Sequence, residues 1–194
     1  MAGVHVSPAD LEAGVELVRA APTGAGTLQL IVRRPAEEQR ELLASGRLDL
    51  REGLVGDMWI NHPSSSTADG GPNPDAQVTL MSARAAALVA GGATHERWAE
   101  AGDQLYVDLD LSHANLPPGS RLRVGNEAVL EITAAPHLGC GKFSRRFGVD
   151  ALKLVNSEQG RALRLRGVNA RVIDPGRIAR GDQVRVQRRA ESPG

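Results

Sequence analysis

Cysteine is nearly missing from this chain: among 194 residues, Cys140 alone carries a thiol. No internal disulfide can form, so any chemistry of Cys140 is that of a thiolate: nucleophile, sulfur carrier or ligand to a soft metal. The alternative role is packing, since a free cysteine is often a small buried hydrophobe. Aromatic residues are scarce too, with two Phe, two Trp and one Tyr. Single-stranded nucleic acid is bound on stacked rings, so nucleic acid is not an expected partner. Apolar runs fall short of the roughly 20 residues that span a bilayer. The N-terminus shows no basic segment followed by an apolar one, so a membrane partner is not expected and the cytoplasm is the expected compartment. Neither a GxxxxGKS/T phosphate loop nor a GxGxxG turn occurs.

What is present fits one globular domain over residues 1–194, at 41% hydrophobic and 24% charged. Its 22 Gly and 11 Pro favour short strands joined by turns over long helices. A formal net charge of zero conceals a division. Residues 1–120 hold 8 Lys/Arg against 16 Asp/Glu, a net of −8, and residues 121–194 hold 15 against 7, a net of +8. An anionic partner is therefore expected at the C-terminal part. Lys142 and Lys153 are the only lysines, so the positive charge is almost all arginine. Guanidinium forks match phosphate, which makes Arg145, Arg146, Arg161, Arg164, Arg166, Arg171, Arg177 and Arg180 candidates for gripping a phosphorylated ligand. The alternative is a solvated basic face.

Along the chain, Ser7-Pro8 opens an amphipathic helix as cap and first helical residue. A strand is expected over 27–32 and a second helix, rich in Glu, Gln, Leu and Ala, over 35–44. Residues 57–75, with Ser64-Ser65-Ser66 and Gly70-Gly71, read as a long loop. A strand over 78–81 and helices over 83–89 and 95–101 follow. From residue 103 onward strands dominate: alternation over 121–124, a strand over 128–133, then 167–173 and 183–187. Residues 143–156 carry helical spacing interrupted by Gly148. The fold class expected is mainly β with peripheral helices (α+β), as a Greek-key or closed β-barrel.

The thiol sits within Pro136-His137-Leu138-Gly139-Cys140-Gly141-Lys142-Phe143. Glycines on both sides and Lys142 two residues on describe a tight, cationic turn. His137 either stabilises the Cys140 thiolate or makes an ordinary hydrogen bond at a strand end. No third residue is identifiable as an orienting acid. With no second Cys and with dispersed histidines, His137-x-x-Cys140 does not read as half of a structural zinc site.

Taken in order, Gly53-Leu54-Val55-Gly56-Asp57, Asn115-Leu116, Gly125 to Glu131, the segment around Cys140, and Gly167 onward with Pro175-Gly176 and Gly181-Asp182 resemble the MOSC domain. This is the domain at the C-terminus of molybdenum cofactor sulfurases. The resemblance is strongest over 103–186 and implies a barrel of the MOSC type and a role with the molybdenum cofactor (molybdopterin) or sulfur. It implies that Cys140 ligates molybdenum or carries sulfur, with reduction of N-hydroxylated compounds as one family activity. The partner is then a small-molecule substrate, a sulfur donor or acceptor protein, or a redox partner. His137 and Lys142 are assigned beside the thiol, and Arg145, Arg146, Asn115, His113 and Arg171 to cofactor binding. A non-catalytic carrier, or a domain binding another small anion, is the alternative. Two departures from the family pattern stand out: Ala114 replaces an acidic residue before Asn115-Leu116, with His113 as a polar substitute, and Gly139 rather than Pro precedes Cys140. Pyridoxal phosphate, associated with the family through its sulfurase context, would have to attach at Lys142 or Lys153, and nothing evident holds its ring.

Overall fold

The computed structural model describes residues 5–64, 67–92 and 94–187; Ser65 and Ser66 of the expected 57–75 loop lie outside the described residues. Eleven strands and six helices are formed among them. In chain order these are α1 (Pro8–Arg19), β1 (Ala25–Arg33), β2 (Glu41–Leu43), β3 (Ser45–Asp49), β4 (Gly53–Leu54), β5 (Val78–Ser82), α2 (Ala83–Ala90), α3 (His95–Ala99) and β6 (Leu105–Asp108). They continue with β7 (Arg121–Val124), β8 (Ala128–Ile132), α4 (Gly141–Phe147), α5 (Val149–Asn156), α6 (Glu158–Ala162), β9 (Val168–Asp174), β10 (Gly176–Ala179) and β11 (Gln183–Gln187).

Seven strands close a barrel in the order β11-β7-β8-β9-β5-β6-β1, with β1 pairing back onto β11 and β2 added outside on β1. Closure removes the free edges an open sheet would expose. The pairs are antiparallel except β5 with β6, which run parallel and are joined through α2 and α3, as a parallel pair requires a crossover. A small sheet, β10-β3-β4, packs beside the barrel. The expectation of a closed barrel with peripheral helices therefore holds.

The period of two sets what fills the barrel. In β7, Leu122 and Val124 are buried while Arg121 is exposed. In β1 the alternation is shifted by an irregularity between Leu28 and Leu30: Leu28 and Ile31 face the interior, and Leu30 and Val32 the outside. That outer face is the floor of a second core, where α1, α2, α4 and α5 bury Leu11, Val15, Val89, Phe143, Phe147 and Val155. Each fully buried side chain of this size is worth roughly 1.5–3 kcal/mol.

Residues 35–44 depart from expectation: β2 lies here instead of a helix. Ile31, Val32 and Arg33 of β1 pair with Leu43, Leu42 and Glu41, so sheet pairing overrides a helix-favouring composition. Ser7 caps α1 as expected, accepting from the Asp10 N–H at 3.2 Å.

Candidate functional site

Between β8 and α4 the chain runs without helix or strand over residues 133–140, and this segment builds the site. Asn169 on β9 holds it from one side, its amide donating to the carbonyls of Ala135 (3.1 Å) and Pro136 (3.2 Å). Asn156 on α5 holds it from the other, accepting from the Gly139 N–H at 2.9 Å and donating to the Gly139 carbonyl at 3.0 Å. A Cβ at 139 would lie 2.7 Å from a Leu152 methyl and 2.9 Å from a Val155 methyl, so a larger residue there has to displace these side chains of α5.

Cys140 follows as the N-cap residue of α4, extended at φ −124 and ψ −179, with its thiol exposed. Partial burial pushes the thiol pKa up, but the first-turn N–H groups of Phe143 and Lys142 and the charges of Arg166 and Arg146 outweigh it, and the net shift is downward. These N–H groups point toward the sulfur without closing a cap hydrogen bond of ordinary geometry.

His137 turns its Nε2 to Asp103 Oδ1 at 2.7 Å, and Asp103 Oδ2 accepts from Arg166 Nη1 at 2.6 Å. Asp103 is fully buried; burial alone would raise its pKa, and Arg166 with His137 brings it below the ordinary carboxylate value. His137 is held neutral, its pKa lowered by burial and then by Arg166 against the pull of Asp103. Asp103 is thus the orienting acid that the sequence left unidentified, and it fixes the proton of neutral His137 on Nε2. Arg166 Nη2 also donates to the Ala101 carbonyl at 2.8 Å, and its guanidinium lies over the Phe143 ring at 5.2 Å, which ties this triad to α4.

His137 and Lys142, on either side of Cys140 in sequence, line a cleft of about 670 Å3 that also reaches Arg34, Arg40, Trp59 and Asn169. Its far wall is set by buried Asp57, which accepts from the Arg34 side chain at 2.7 and 2.9 Å and caps the short 58–61 turn through the Trp59 N–H at 3.0 Å. The indole Nε1 of Trp59 is buried with no hydrogen-bond partner among the described residues. The expected 57–75 loop is therefore partly a formed wall, anchored by Asp57.

The remaining candidates separate. Lys142 pairs with Glu37 at 2.7 Å, Arg146 with Glu38 and the Glu100 carbonyl, so an acidic rim that sequence reasoning missed neutralises part of the basic helix. Arg145 is exposed and unpaired among the described residues, its Nη1 folded back to within 3.7 Å of where a Gly141 Cβ would stand. Arg171 is held by Glu131 at 2.6 Å on β9, and the Asn115 amide donates to the carbonyls of Asp110 and Thr23. His113 meets Arg164 behind the 133–138 segment. The structure thus brings His137 and Lys142 to one cleft, with Arg145 and Arg146 on the helix that Cys140 opens; His113 meets His137 only in the lining behind the segment, and Asn115 and Arg171 line neither cleft. Among the described residues no three His, Cys, Asp or Glu side chains form a metal-binding group, and no helix is long and apolar enough to cross a membrane.

The fold is similar to solved structures of low sequence identity. The YuaD protein of Bacillus subtilis superposes with a TM-score of 0.62 at 15% identity, over 84% of this chain and 95% of that one. The YiiM protein of Escherichia coli gives 0.54 at 18%, over 86% and 72%. YiiM of Geobacillus stearothermophilus gives 0.53 at 13%, over 87% and 75%. No curated protein matches the sequence. The family model of the MOSC domain matches residues 43–185, most of the chain, from the small sheet through the Cys140 segment to β11. On that match the chain belongs to the MOSC domain family.

Proposed function

We propose that this MOSC domain holds the molybdenum cofactor in the cleft beside Cys140, with the Cys140 thiolate as the protein's ligand to molybdenum. The observation that carries this reading is an exposed thiol, held below its ordinary pKa, in the same short segment as His137 and Lys142, which line a cleft of about 670 Å3. A volume in the range of roughly 300–1,000 Å3 suits an organic cofactor. The donor set fits as well. A thiolate suits a soft transition metal, and a metal that arrives with its own chelating ligand needs only one protein donor. Arg145, free of carboxylates and folded back toward the start of α4, is assigned to the phosphate end, with Arg146 beside it.

When bound, the cofactor would supply a redox-active metal, and reduction of N-hydroxylated small molecules is the reaction assigned to it. His137 is assigned a proton-handling role on the cleft wall, oriented by Asp103. Lys142 keeps a positive charge at the rim, in exchange with Glu37 and Glu38. A second reading, a persulfide carried on Cys140 to an acceptor protein, is favoured by one observation, the exposure of the thiol. The two are separated by elemental analysis of protein from a host that makes the cofactor, wild type against Cys140→Ser. Molybdenum near one equivalent in the wild type and none in the variant supports ligation. Absence from both, with a persulfide on Cys140 by mass spectrometry, moves the assignment to the carrier.

A further inference from the structure

The 133–138 segment has two faces. Pro136, His137 and Asn169 line the cleft beside Cys140 and also a smaller one behind the segment, of about 260 Å3. The charged side chains lining this rear cleft are all cationic or imidazole: Arg161, Arg164, Arg166, His113 and His137, with no Asp or Glu among the described residues. Asp103, behind His137, is already bound by Arg166 at 2.6 Å and leaves no free negative charge.

Two of these arginines are prepared for a ligand in different ways. Arg161 is exposed and its side chain has no hydrogen bond or ion pair among the described residues. Arg164 is fixed: its backbone is held at φ +50, a region non-glycine residues seldom occupy, and its guanidinium donates to the Leu116 carbonyl at 2.5 Å. Its Nη2 stands 3.1 Å from His113 Nδ1. Arginine only donates, so Nδ1 accepts and neutral His113 carries its proton on Nε2, free to donate in turn. The rest of the lining is largely apolar, with Pro118, Leu138 and Val155, and Leu138 is 47% exposed despite its size.

We propose that the rear cleft is a binding site for a small organic anion: a carboxylate on a short apolar body, its oxygens on Arg161, Arg164 and His113 Nε2–H, its carbons against Leu138 and Val155. The volume lies below the roughly 300–1,000 Å3 of pockets for drug-sized ligands, which selects a molecule of few heavy atoms. A carboxylate matches two guanidinium forks, and the apolar wall discriminates for a carbon body over a bare inorganic ion. Because Arg161, Arg164 and His113 line this cleft and not the one that Lys142 and Trp59 line, it is a site separate from the one assigned to the cofactor.

Burial and then Arg164 hold the His113 pKa below its ordinary value. Its other side borders an open cleft with Arg19, Asp110 and Glu158, while Arg161, Arg166 and His137 face the rear cleft with it. An anion seated beside the imidazole raises that pKa, so binding takes up a proton and tightens as pH falls from 8 to 6.

The test is a titration of the apo protein with butyrate, read by histidine-ring NMR and by calorimetry, with inorganic phosphate and chloride as comparisons. Saturable butyrate binding that raises the His113 pKa is expected, with phosphate weaker. Arg161→Ala, at an exposed position, weakens butyrate binding about tenfold, the size of one charge-assisted hydrogen bond. His113→Gln keeps a donor and removes the pH dependence, and Cys140→Ser leaves the affinity unchanged. A His113 response to butyrate no larger than to equal chloride overturns the site. So does butyrate binding that Arg161→Ala leaves intact or that Cys140→Ser abolishes.

Discussion

At the scale of single residues, Cys140 is placed for reactivity and contributes little to packing, because its side chain lies outside both cores. Cys140→Ser is expected to change stability by no more than about 0.5 kcal/mol, as for other surface substitutions. In the wild type, alkylation should be half-maximal below the roughly pH 8.5 of a free thiol, since helix N–H groups and two arginines favour the thiolate. An alkylation midpoint at or above that value would remove the electrostatic basis of the site. Asp103 is the opposite case. Asp103→Asn leaves Arg166 as a buried charge without its carboxylate and is expected to cost about 3–5 kcal/mol in a chemical denaturation curve. Cys140, His137 and Lys142 could be proposed together because they share one short motif. The pairing of Asp103 with Arg166 could not, since they meet across 63 residues and only the closed barrel brings them together.

At the scale of elements, local signals carried where one segment decides its own conformation. Ser7 and Pro8 start α1, and Ser82 caps α2 directly after β5, where a strand followed by a helix was expected. They failed where a neighbour decides, as at 41–43, which β1 recruits into the sheet. They also missed α6, a five-residue helix with one buried residue and too short for a periodic pattern. Gly148 lies between these cases. It was readable as an interruption, and its φ of +94 makes it the joint between α4 and α5. A Cβ there would be strained and would stand 2.9 Å from the His5 ring. Gly148→Ala is therefore expected to destabilise by about 1–3 kcal/mol, with His5 yielding more readily than the backbone. If the variant's thermal midpoint equals the wild type's, the joint is not under conformational constraint.

At the scale of the whole molecule, stability depends on acid and on barrel closure. His137 is held neutral in the fold, below its unfolded value of 6.5, so the unfolded chain binds more protons and stability declines as pH falls through 6.5. Asp103, ionised in the fold below its unfolded value of 3.8, adds a further loss as pH falls below 3.8. The histidine acts first, so thermal midpoints should fall from pH 7 to pH 5, and His137→Gln should flatten that part of the curve. Closure itself rests on one seam. Ala25, Gly26 and Thr27 of β1 pair with β11, and from Thr27 onward β1 pairs with β6. At this hand-over a Cβ on Gly26 would lie 1.9 Å from the Asp108 carbonyl oxygen, a backbone atom that cannot rotate away. Two residues earlier, Gly24 has nothing within 4 Å of the same position. The two glycines therefore form a controlled pair: Gly26→Ala must push β6 away from β1 and is expected to cost at least about 2 kcal/mol. Gly24→Ala should stay within about 0.5 kcal/mol. Equal denaturation midpoints for the two variants would mean that the barrel seam has room, and that closure is set elsewhere along β1.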